Sequence, residues 1–150
     1  MVVFLFAACV GVIACSSSSS EPTEEGLIQR SEMANDALNA QNWADIYQLY
    51  PLEVRDICLL SDFESGWNAN YERELEALKE ALGAGMELTL VVETNGVAIA
   101  GTDGYVTLEL DAVASDGQRV IENLVNDNAQ LWKFIDGEWF IGEGVPDEFC

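Results

Sequence analysis

Leu131-Trp132-Lys133-Phe134-Ile135-Asp136-Gly137-Glu138-Trp139-Phe140-Ile141 reads as two short strands joined by a tight turn. Asp-Gly favours the backbone of a two-residue hairpin, and β-forming residues flank it on both sides, with Trp132 and Trp139 as the large side chains. Upstream, the same period of two continues. Val106, Leu108, Leu110 and Ala112 alternate with Tyr105, Thr107, Glu109 and Asp111, and Asp116-Gly117 closes that strand with a second hairpin signal. Before it, Met86, Leu88, Leu90 and Val92 alternate with Glu87, Thr89, Val91 and Glu93, and Asn95-Gly96 predicts a turn. Asp103-Gly104 predicts a bulge or an extra turn on the approach to the second strand. Arg119 to Gln130 is ambiguous, with a strand broken near Asn126-Asp127-Asn128. The C-terminal half is therefore an antiparallel meander.

Before Met86 the period is helical. Leu27, Ser31, Ala34 and Leu38 form one stripe over 26–40, behind Glu24 and Glu25, which suit the positive end of a helix dipole. Asn42 caps a short second helix whose Trp43, Ile46, Tyr47 and Tyr50 share a face before Pro51 stops it. A loop or helical turn leads through Cys58 to a third, longer helix. There Ser61-Asp62-Phe63-Glu64 fits a capping box, Phe63, Trp67, Tyr71, Leu75, Leu78 and Leu82 recur at three- or four-residue steps, and Gly83-Ala84-Gly85 ends the run. Three helices followed by a meander make an α+β class, with the N-terminal helices packed on one face of an antiparallel sheet.

The chain opens with fourteen uncharged, mostly apolar residues, too few to cross about 30 Å of hydrocarbon as a helix. The stretch Val12-Ile13-Ala14-Cys15 resembles the lipobox of bacterial lipoprotein signals. That resemblance implies removal of residues 1–14, acylation of Cys15 and attachment to a lipid bilayer, with an exported domain in the periplasm or outside the cell. The basic residues that normally precede an export signal are missing, since the first Lys or Arg is Arg30. An ordinary cleaved signal is one alternative, and the poorer match Phe6-Ala7-Ala8-Cys9 is another. Residues 15–25, with five serines and three acids, read as a lipidated tether, and 26–150 as one folded domain.

With 27 Asp and Glu against 6 Lys and Arg, and no His, the formal net charge is −21. Such a surface repels phosphate backbones, which argues against nucleic acid as a partner. A hydrated acidic face explains it without a bound cation, because the nearest approach to a calcium loop, Asn126-Asp127-Asn128, lacks the glycine and distal glutamate. No metal or cofactor is implied. Loss of Cys9 with the leader and acylation of Cys15 leave Cys58 and Cys150, which an oxidising compartment would pair; two buried thiols are the alternative.

The helix order, the meander and the closing Trp132 to Trp139 hairpin together resemble the nuclear transport factor 2-like, SnoaL-like superfamily. The resemblance spans about residues 27–150. It implies a cone, or cystatin-like roll, in which helices cover a curved sheet around an apolar cavity, often as a homodimer packed through the sheet. The superfamily includes ketosteroid isomerase, scytalone dehydratase and epoxide hydrolases, besides proteins with no catalysis. Here the absence of His excludes a His pair, a serine triad and a His-containing zinc site. An isomerase-like site would need a carboxylate of raised pKa beside a Tyr donor, yet Asp62 and Tyr71 lie about two and a half turns apart on one helix. Arg73 sits among Glu72, Glu74 and Glu76 and reads as part of a solvated face rather than an Asp-Arg-Asp site. No residue is nominated as catalytic.

Trp43, Tyr47, Trp67 and Tyr71 are the candidate pocket-lining residues; ordinary core packing is the favoured explanation, since they fall on stripes that must be buried anyway. The expected function is a non-catalytic envelope lipoprotein that binds a small apolar ligand or an envelope protein. The alternative is a small isomerase, dehydratase or hydrolase that works through a carboxylate.

Overall fold

The computed structural model describes residues 21–83, 86–124, 129–145 and 149–150. Cys15, the serine run, Ala84-Gly85 and Asn126-Asp127-Asn128 lie outside them. Helix α1 (Glu24–Asn39) is capped by Thr23, whose side chain accepts from the Gly26 amide at 3.1 Å. It therefore begins two residues before the domain boundary drawn at 26, and Glu24 and Glu25 form its acidic first turn. Leu27, Ser31 and Ala34 of the expected stripe are buried. Asn42 caps α2 (Trp43–Gln48), accepting from the Asp45 amide, and α2 buries Trp43, Ile46 and Tyr47.

Two expectations at the helix level change. The stretch read as a loop or turn contains a six-residue helix, α3 (Leu52–Ile57), which follows Pro51 and buries none of its side chains. The described residues thus hold four helices instead of three. The long helix α4 (Leu60–Leu82) starts ahead of the proposed capping box. Leu59 takes the cap position and its carbonyl accepts from the amides of Asp62 and Phe63, both at 3.0 Å, so Ser61 is already helical. Cys58 is held in the core and gives the chain no slack to delay the helix. Gly83, at φ +96°, ends it.

Among the described residues the sheet has five strands: β1 (Leu88–Ala100), β2 (Asp103–Ala114), β3 (Arg119–Ile121), β4 (Ala129–Ile135) and β5 (Glu138–Ile141), in the order β1-β2-β4-β5, with β3 also on β2. All pairings are antiparallel. Asn95-Gly96 is not a turn. β1 runs straight through it with a register shift between Thr94 and Gly96, and the chain reverses at Gly101-Thr102, where Ala100 pairs with Asp103. Gly101 has φ +67°, as the first loop position of a II′-type hairpin demands. Val97 and Ile99 continue to bury apolar surface past the Asn-Gly pair, and that packing keeps the strand extended. Asp103-Gly104 is likewise no bulge; both residues pair in register with β1 and β4.

The final hairpin forms as read. Phe134 pairs with Trp139 and Ile135 with Glu138, and Asp136 and Gly137 take φ values of 50° and 91°. Trp132 and Trp139 are both buried. The helices pack against this curved antiparallel sheet in an α+β fold.

The free edge of β1 is covered by side chains from the helices. Asn39 donates to the Val92 carbonyl at 3.0 Å and accepts from its amide at 2.8 Å, substituting for a missing strand. One strand residue defies the alternation. Asp111, read as solvent-facing, is only 1 % exposed; it pairs with Arg119 at 2.7 Å and accepts from the Asn123 amide at 2.9 Å, tying β2 to β3 and the turn after it. At the other end of the chain Cys58 is bonded to Cys150, with Cα atoms 5.0 Å apart and a sequence separation of 92. This brings Phe149 onto Trp67, ring centroids 5.2 Å apart, and onto Gly66, where a Cβ would lie 2.7 Å from the Phe149 Cα.

Candidate functional site

α4 packs on α2 through its N-terminal half and touches the sheet sparsely at β1, so its C-terminal half spans the sheet without closing on it. Among its side chains only Phe63 is fully buried; Trp67, Tyr71, Leu75 and Leu78 are half-buried along the inner stripe. The gap beneath them is a cavity of about 490 Å³. Trp43, Trp67, Tyr71 and Leu78 form its helical wall. Leu90 and Val92 of β1 and Leu108 and Leu110 of β2 form its floor. They share one face because Val92 stands opposite Leu110, with alternate residues on each strand pointing the same way. Polar groups come from Asn70, Glu74, Gln130 and Glu143.

Three of the four residues nominated from sequence line this space, and Tyr47 does not. Its hydroxyl lies 2.8 Å and 2.7 Å from the carbonyl oxygens of Arg55 and Cys58 and donates to them, and its ring packs edge-on against Phe63. Tyr47 therefore fixes the α3 segment to α2. The i,i+4 spacing from Trp43 placed it on the correct face but one turn too far along. Trp43 stacks on Trp67 with centroids 5.5 Å apart, and its indole N–H donates to the Asn68 side-chain oxygen. Among the described residues the buried Trp67 indole N–H has no hydrogen-bond partner. Tyr71 approaches from α4, its hydroxyl accepting a long 3.5 Å bond from the Leu90 amide.

The comparisons are silent. No family model, no curated protein and no solved structure matches the chain. What the cavity does must be argued from its walls.

Both acids that line the cavity are exposed side chains. Glu74 stands at the mouth with its side chain 58 % exposed, 3.5 Å from Arg73. Glu143 is also exposed, and one of its oxygens accepts from the Leu131 amide at 3.2 Å. Its charge reaches Tyr50, whose hydroxyl is pushed up to about 12, first by burial and then by Glu143. Among the described residues the one fully buried carboxylate, Asp111, is committed to Arg119 and does not line the cavity. Asp62 does not join Tyr71 at the cavity wall. Among the described residues no three His, Cys, Asp or Glu side chains are grouped to hold a metal, and no helix is long and apolar enough to cross a membrane.

Sequence reasoning missed the floor and the polar rim. The floor was visible in principle: Leu90, Val92, Leu108 and Leu110 are the apolar halves of two alternating strands. The rim was not, because nothing local distinguishes Glu74 or Glu143 from the other acids.

Proposed function

We propose that the chain is an exported lipoprotein, anchored through an acylated Cys15, whose α+β domain binds a small apolar molecule without transforming it. The cavity between α4 and the sheet carries this reading. Its volume of about 490 Å³ falls in the range of about 300–1,000 Å³ usual for small-molecule sites. Its walls are aromatic and aliphatic, and its two carboxylates, Glu74 and Glu143, are exposed at the mouth. A cone around an apolar cavity is also what the nuclear transport factor 2-like resemblance implies. The Cys58–Cys150 bond favours an oxidising compartment, in keeping with export.

Two experiments test the two halves. Titration with an apolar ligand should change the intrinsic fluorescence of the full chain, through Trp43 and Trp67; a flat response over a panel of apolar compounds would refute the binding half. Cys15→Ser should move the protein from the membrane fraction to the soluble one and abolish lipid mass on the chain. A wild-type protein carrying no acyl group would end the lipoprotein half.

A further inference from the structure

We infer that the cavity selects apolar molecules bearing a positive charge, such as hydrophobic amines, over neutral and anionic molecules of the same shape. This rests on the binding reading above and names the class of ligand. Five of the six cationic side chains have partners away from the cavity walls, and the sixth, Arg73, is paired with Asn70 and Glu74 at the mouth. Arg30 pairs with Glu138, Lys79 with Glu76, Arg119 with Asp111 and Glu93, and Lys133 with Asp103. Arg55 bonds Gln48, and Arg73 turns to Asn70 and, at 3.5 Å, to Glu74.

The cavity itself is lined by no cation among the described residues, and by two carboxylates. Glu143 has no cation within ion-pair distance among the described residues, and its backbone bond to Leu131 holds it at the mouth. The same cavity is lined by Trp43, Trp67 and Tyr71, the first two stacked on each other and the last one helical turn before Glu74. Aromatic faces attract cations through their quadrupoles and accept apolar groups through dispersion, so an ammonium with an apolar body satisfies both walls at once. An anion would meet the carboxylate of Glu143, which has no cation partner among the described residues, and that of Glu74, which Arg73 already pairs. The formal charge of −21 adds a field that concentrates cations at the mouth.

The test compares 4-phenylbutylamine, 4-phenylbutanol and 4-phenylbutyrate, which share one apolar body, by fluorescence titration of the full chain in about 0.15 M salt, where the general field is screened beyond about 8 Å. The amine should bind at least ten-fold more tightly than the alcohol, and the carboxylate weakest of the three. Glu143→Gln and, separately, Glu74→Gln should bring the amine-to-alcohol ratio toward one, while Glu25→Gln on α1, away from the cavity, should leave it unchanged. Equal binding of amine and alcohol would overturn the charge preference and leave the binding proposal standing; no binding of any probe would overturn both. An equal fall in the ratio with Glu25→Gln would assign the preference to the general field and overturn the site. The wild-type ratio is decisive by itself should either cavity variant fail to fold.

Discussion

At Gly104 an added methyl would sit 2.7 Å from Leu27 Cδ2 and 2.8 Å from Trp139 Cζ3. Both neighbours are core side chains without room to retreat, Leu27 fully buried and Trp139 nearly so. Gly104→Ala should therefore destabilise the fold by about 2 kcal/mol through overpacking, read as a lower denaturant midpoint with an unchanged slope. A second residue sets the alkaline limit. Tyr50 keeps its proton in the folded state up to about 12, against about 10 when unfolded. The folded protein thus holds a proton that the unfolded chain gives up. This contribution is fully present below pH 10 and is lost as the pH rises through 12. Tyr50→Phe should flatten the decline of stability between those values in denaturant titrations. An unchanged alkaline profile would mean that another group controls it.

At the scale of elements, the Asn95-Gly96 pair shows where local signals lose. Asn-Gly is a strong turn former, yet it lies inside a strand whose next residues, Val97 and Ile99, pack on the core, so the pair is absorbed as a bulge. The real reversal, Gly101-Thr102, is a weaker motif in a position where both flanking strands can pair. Inserting Gly-Ser-Gly between Gly101 and Thr102 should cost under about 1 kcal/mol, since lengthening a surface loop is entropically mild. The same insertion between Asn95 and Gly96 should cost several times more, because it breaks the β1–β2 ladder; equal losses in thermal unfolding would contradict the assigned register. The final hairpin was legible because turn signal, alternation and length agree. α4 was legible in its stripe and not in its start, since the capping-box residues lost to an anchored Cys58 just upstream.

At the scale of the whole molecule, the Cys58–Cys150 bond closes a 92-residue span and holds the last residues against Trp67, at the wall of the cavity. Constraining an unfolded loop of that size is worth up to about 4.7 kcal/mol in the chain-entropy model, and less in practice. Reduction, or Cys58→Ser with Cys150→Ser, should lower stability by about 3 kcal/mol, measured by denaturant unfolding with and without reductant.

The sequence by itself determined the class of the fold, the order of helices before strands, the stripe on α4 and the final hairpin. Each of these follows from a period or a short motif, and periodicity records which face of an element must leave water. Tertiary structure alone decided that α4 stands off the sheet, that Asp111 is buried with Arg119, that Tyr47 serves the core, and that Glu74 and Glu143 are the two acids at the mouth. Those outcomes depend on which elements meet across long stretches of chain, and a chain with 27 acids offers no local signal for the two that a cavity will use.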